Sequence, residues 1–140
     1  MIRNGVRRGD VFYINRLNFS GEAEMQKARP AVIVSNDRNN TFATYVEVVY
    51  LTSQHRRKPL PTHVNIACKV PSIVLCECVE TISKEQLGSY IKTCNTKEMK
   101  QIDKALCCSL GIDTFPFTIH NLDFIIKRIV KKIQAVFTER

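Results

Sequence analysis

Arg29-Pro30-Ala31-Val32-Ile33-Val34-Ser35 decides how this sequence folds. Its apolar residues run without alternation, three of the four are β-branched, and the run is too short for a helix. That pattern predicts a strand covered on both faces. Pro30 biases the residue before it toward an extended backbone, which sets Arg29 at the mouth of that strand.

Reading outward, Asp10 to Leu17 alternates in part and predicts another strand, followed by a polar, exposed loop from Asn18 to Lys27. On the other side, Asn36 to Asn40 carries turn chemistry, and Tyr45 to Thr52 is a β-branched and aromatic strand. A basic, proline-bearing loop spans Gln54 to Pro61. Two further strands, Thr62 to Cys68 and Ser72 to Val79, are separated by Lys69-Val70-Pro71.

Beyond about residue 80 the signals become helical. Ser83-Lys84-Glu85-Gln86 and Asn95-Thr96-Lys97-Glu98 each set a capping side chain three residues before Gln or Glu. The second of these helices carries Met99, Ile102, Leu106 and Leu110 on one stripe and ends at Gly111. Pro116 then breaks the pattern. From Asn121 the spacing of Leu122, Ile125, Ile126, Ile129, Ile133, Val136 and Phe137 predicts an amphipathic helix, with Lys127, Arg128, Lys131 and Lys132 off its stripe. The expected organisation is a mainly β domain with packed helices over 1–112 and a C-terminal helical extension over 113–140. A stripe that apolar is expected to dock, either on its own core or dimer contact, or with its basic side on a polyanionic partner or an anionic membrane.

The chain has 140 residues, 44% hydrophobic and 24% charged, with a formal net charge of +8. Those values exclude a large multidomain enzyme and a disordered chain. No apolar stretch approaches the ~20 residues of a membrane span, and the basic N-terminus has no apolar core behind it. A cytoplasmic chain with no stable membrane insertion is the expectation. The six cysteines then read as reduced side chains, mostly small buried apolar residues, and their spacing is wrong for zinc. No metal and no other cofactor is expected. The positive charge is spread along the chain, so it attracts polyanions or simply serves solubility.

Several kinds of site are missing. The five glycines are scattered, which removes a phosphate-cradling loop and a dinucleotide fingerprint. The three histidines have no metalloprotease spacing, and no G-x-S-x-G is present.

Five runs nevertheless stand in a familiar order: Arg8-Gly9-Asp10-Val11-Phe12, Arg29 to Asp37, Leu51-Thr52-Ser53-Gln54, Leu60-Pro61-Thr62-His63-Val64, and Ser72 to Ile82. Together they resemble the MazF/PemK family of toxin endoribonucleases from type II toxin–antitoxin pairs. The resemblance implies a small SH3-like β-barrel working as a homodimer and silenced by an acidic antitoxin. It also implies metal-independent, sequence-selective cutting of single-stranded RNA, in which a ribose 2′-hydroxyl attacks its own phosphate and leaves a 2′,3′-cyclic phosphate and a 5′-hydroxyl.

By position, Arg29 falls on the family's catalytic arginine and Thr52 on its catalytic threonine. Because the nucleophile belongs to the substrate, the protein has only to align it and stabilise charge on the non-bridging oxygens. A planar guanidinium bonding two oxygens does this, and a hydroxyl adds a third donor. For the general base, Glu24 keeps the family's distance to the arginine, with Glu22 as the other candidate. Lys27 stands where the family often has a glycine. Gln54 is a candidate for reading a base edge and Arg56-Arg57-Lys58 for gripping phosphates, with Ser53 and Lys27 as further RNA-binding candidates. His63 reads as structural. The competing functions are a gyrase-binding toxin of the same fold, disfavoured because the chain has no Trp, and a silent family member that only binds RNA.

Overall fold

The run around Val32 forms one of the inner strands of a six-stranded antiparallel sheet. A computed structural model describes residues 5–15, 28–54, 58–112 and 119–138. Its strands are β1 (Asp10–Ile14), β2 (Arg29–Ile33), β3 (Tyr45–Thr52), β4 (His63–Ile66), β5 (Ser72–Ser83) and β6 (Leu87–Thr93). Its helices are α1 (Asp37–Phe42), α2 (Thr96–Leu110) and α3 (Ile119–Thr138). The sheet order is β4-β5-β3-β2-β1-β6.

Alternation along β2 explains its uninterrupted apolar run. Ala31 and Ile33 enter one buried cluster with Ile14, Val46, Val48, Tyr50 and Ile82, whereas Val32 and Val34 enter a second. That second cluster takes buried residues from β1, β3, β4 and β5 and is flanked by Ile91 of β6. All six strands can meet around one core only if the sheet curls. Each fully buried valine there contributes roughly 1.5–3 kcal/mol relative to exposure. The face of α2 that bears Ile102 and Ala105 closes the same cluster.

The curl stops short of the closed barrel that was expected. Among the described residues β4 and β6 share no backbone ladder and remain sheet edges. Side chains bridge them instead. Lys92 of β6 donates through Nζ to the Ala67 carbonyl at 2.7 Å, just past the end of β4, and to both Glu98 oxygens at 2.9 and 3.0 Å. Glu98 Oε1 also accepts the Ala67 amide at 3.1 Å. The seam is thus latched by an ion pair that satisfies both backbone groups of one residue.

Other expectations need correction. Asn36 to Asn40 is not a plain turn: Asn36 accepts from the Asn39 amide at 2.9 Å and caps α1. The capping box at Ser83 and Gln86 forms, but it closes only a single 3₁₀ turn, after which the chain becomes β6. Local capping cannot hold a helix against a strand partner, and β1 supplies one, with Asp10 opposite Thr93 and Ile14 opposite Leu87. Gly88 makes that pairing possible, because a Cβ there would stand 2.9 Å from the Tyr13 carbonyl oxygen. β5 runs to Ser83, past the expected end at Val79, with a register shift against β3 between Val49 and Leu51.

Of the cysteines only Cys76 and Cys94 are buried; burial pushes their thiols up to about 12 and about 11, so both stay protonated and inert. Cys78 and Cys108 are exposed. On α2, Glu98 is buried and Leu110 is exposed, so the stripe is less uniformly apolar than its spacing suggests. In α3 the side chains of Ile126, Ile129, Val130, Ile133 and Val136 are 45–70% exposed, so the expected docking onto the chain's own core is not made there.

Candidate active site

Arg29 is the first residue of β2, paired with Ile14 of β1. On the other side Ala31 pairs with Tyr50 of β3, and continuing that register by two residues brings Arg29 opposite Thr52. Two residues far apart in sequence therefore come to the same end of adjacent inner strands. The β1 ladder holds the arginine's backbone while its side chain stays exposed.

The guanidinium lies over the ring of Tyr50, 4.9 Å from the ring centroid. Tyr50 is itself only 5% exposed, because it belongs to the core cluster beneath β2. A rigid aromatic platform narrows the directions an arginine can sample and attracts its cation at this range. The Thr52 hydroxyl accepts the Gln54 amide at 3.2 Å, a tight local turn that orients its oxygen and turns the chain off β3.

Arg29, Thr52, Ser53 and Gln54 all line one cavity of about 620 Å³. Tyr13 of β1, Ile91 of β6 and the Cys68 to Val70 turn complete its walls, together with Pro30, Leu51 and Ser72. Lys69 brings a second cation that the sequence reading passed over as part of a linker. Tyr13 was read only as a strand residue. Their spatial neighbours lie outside their own segments, so no local pattern marks either one. Glu22, Glu24, Lys27, Arg56 and Arg57 lie outside the described residues.

His63 does not reach this cavity. Its Nδ1 accepts the Leu60 amide at 3.3 Å, so Nε2 carries the proton and donates it to Glu77 Oε1 at 2.9 Å. Burial would raise the Glu77 carboxyl, but its own backbone amide and His63 outweigh burial and hold it below its ordinary value. The pair fixes the start of β4, the structural role expected of His63. Among the described residues no group of His, Cys, Asp and Glu could hold a metal ion.

Residues 7–110 match the family described as PemK-like, MazF-like toxins of type II toxin–antitoxin systems. The chain belongs to that family. An endoribonuclease from Mycobacterial species is similar to this MazF-like chain at 28% identity, with a TM-score of 0.65 over 81% of this chain and 98% of that one. A second structure, an endoribonuclease in complex with its cognate antitoxin from Mycobacterial species, gives 28% identity and a TM-score of 0.63 over 81% and 99%. The Mycobacterium tuberculosis toxin MazF-mt6 shares the fold at 21% identity, with a TM-score of 0.61 over 74% and 98%.

Proposed function

We propose that this MazF-like endoribonuclease cuts single-stranded RNA without a metal, using the substrate's own 2′-hydroxyl as nucleophile. The observation that carries the reading is the meeting of Arg29 and Thr52 in one cavity, with the guanidinium braced on Tyr50. As the 2′-oxygen attacks the adjacent phosphorus, negative charge grows on the non-bridging oxygens. Arg29 bonds those oxygens from a braced position, and the Thr52 hydroxyl donates to one of them. Little reorganisation is needed at the moment of reaction, because strands and ring have already fixed the donors. The 5′-oxygen leaves and takes a proton from water, giving a cyclic phosphate and a 5′-hydroxyl end.

In this reading Glu24 removes the proton from the 2′-hydroxyl. Gln54 and Ser53 contact the bases beside the cut, which makes cutting sequence-selective. Lys27, Arg56 and Arg57 hold flanking phosphates. Residues 1–112 form the catalytic domain and 113–140 a separate extension. The working form is a cytoplasmic homodimer, silenced by an acidic antitoxin that covers the cavity. Support for the antitoxin comes from the relatives that were solved with one. Among the described residues no helix is long and apolar enough to cross a membrane.

The test is incubation of the purified protein with a long single-stranded RNA in EDTA, followed by mapping of new 5′ ends. Discrete 5′-hydroxyl ends are expected, and a substrate with one deoxynucleotide at the cut position should bind and survive. RNA left intact, or cut only when a divalent metal is added, overturns the reading.

A further inference from the structure

The edge of β4 carries a second feature, on a side of the molecule where the catalytic residues play no part. His63 pairs with Leu75 and Asn65 with Ile73, and the Cys76 amide donates to the Thr62 carbonyl at 3.0 Å. In an antiparallel ladder hydrogen-bonded and non-bonded pairs alternate. Thr62, Val64 and Ile66 therefore turn their backbone groups toward β5. His63, Asn65 and Ala67 turn theirs outward.

Most of this outward row is already used. The His63 amide donates to the Leu60 carbonyl at 3.0 Å, and the two groups of Ala67 are taken by Glu98 and Lys92. What remains, among the described residues, is the His63 carbonyl and both backbone groups of Asn65. Exposed strand edges are ordinarily blunted along their length. Here the blunting stops on either side of a slot the length of one bonded residue pair.

The slot opens onto a groove of about 700 Å³, lined by His63 and Asn65 on one wall and by α2 on the other. The α2 wall is the stripe Lys97, Gln101, Lys104 and Cys108, one flank of the helix. Glu98, the acid in that lining, is neutralised by Lys92. Among the described residues the groove thus presents two lysines without an ion-pair partner along one wall and a free backbone donor and two acceptors along the other.

We propose that an extended acidic peptide segment of a partner protein adds to β4 as a seventh strand, pairing with Asn65 and setting its carboxylates against Lys97 and Lys104. Strand addition supplies the affinity through main-chain bonds, and the lysines select the charge. A second copy of this chain fits poorly, because edge-to-edge pairing about Asn65 would bring two lysine flanks together. RNA would leave the strand-spaced donor and acceptor of Asn65 without matching partners.

The full chain, labelled with ¹⁵N, is titrated with the capped peptide acetyl-(Val-Glu)₄-amide, with the Val-Lys counterpart as control. The acidic peptide is expected to slow hydrogen exchange at the Asn65 amide and to shift resonances along Lys97 to Cys108. Asn65→Pro removes the outward amide without touching the β4–β5 ladder, where an edge proline is tolerated. It should weaken acidic-peptide binding roughly tenfold while RNA cleavage is unchanged. Lys97→Glu with Lys104→Glu, both exposed positions, should weaken it by at least as much. Equal binding by the variants and the wild type, or shifts centred on Arg29 and Thr52, overturns the proposal. So does protection of Asn65 that rises with protein concentration alone, which would assign the edge to a second copy, or protection by RNA.

Discussion

The two cavities are similar in size and opposite in construction. The one at Arg29 sits at the end of inner strands, and what those strands offer a ligand there is side chains, Arg29 and Thr52 foremost. The groove at β4 lies on an outer strand and offers main chain as well. The first arrangement suits transition-state charge, which rewards donors that do not move. The second suits a chain that brings its own backbone. One curled sheet supports both, because curling gives it a rigid interior and an incomplete seam.

The hardest blow to this division is a substitution in the first cavity that spares the second. Arg29→Ala should lower the cleavage rate by about 10²-fold or more, with the thermal midpoint and the exchange of the Asn65 amide unchanged. Arg29→Lys should recover little, since an ammonium cannot bond two oxygens in one plane. Cleavage by Arg29→Ala at the wild-type rate, measured on the same RNA, removes the chemistry from this site.

The seam that separates the two cavities gives the next largest effect. Burial tends to raise the Glu98 carboxyl, but Lys92 and the amides of Asn95 and Ala67 hold it below its ordinary value of 4.5. A carboxyl depressed in the folded state stabilises the fold above its ordinary value and loses that contribution as pH falls through its folded one. The melting temperature of the wild type should therefore drop more steeply below about pH 4.5 than that of Glu98→Gln. At neutral pH the variant should be less stable by roughly 1–3 kcal/mol. Parallel pH curves for the two proteins would dissolve the latch.

Smaller still is the expected effect of the Tyr50 platform. Tyr50→Leu removes the ring beneath Arg29 and should slow cleavage by several-fold, in line with about 0.5–2 kcal/mol for such a contact. Tyr50→Phe keeps the ring and should retain most of that rate. If both variants slow equally, the ring is not what positions the arginine.

Removal of the chain after Ile112 should matter least to catalysis, because the side chains from Ile126 to Val136 are exposed. Cleavage is expected to stay within about twofold of the full chain, a change typical of a surface alteration. Loss of cleavage together with loss of dimer would tie the extension to the working form.

What the sequence made legible divides along the same line. β2 and β3 could be read because their residues answer to a single demand, burial on a curled sheet, and Arg29 because Pro30 and the apolar run mark the strand mouth. α2 could be read because Asn95, Glu98 and Gly111 carry local geometry, with the Gly111 backbone left-handed at φ 65°. β6 was hidden because the Ser83 capping box is a local signal, whereas the strand exists through pairing with β1 about eighty residues earlier. Lys69 and the Asn65 edge were hidden for the same reason. The Arg8-Gly9-Asp10 run turns out to be framework: Gly9, at φ 89°, bonds the Ile33 carbonyl and the Cys94 amide, and the buried Asp10 accepts from the Arg7 amide and the Thr93 hydroxyl.

The latch also sets an order of events during synthesis. Its three parts emerge from the ribosome in the sequence Ala67, Lys92, Glu98, and the cavity that holds Arg29 has Cys68 and Lys69 on one side of the seam and Ile91 on the other. A nascent chain that has not yet released α2 lacks both the helix covering the main core and the acid that fixes the two edges. The two edges that flank the candidate cavity are therefore tied to each other only once α2, the last element of the matched family region, has left the exit tunnel.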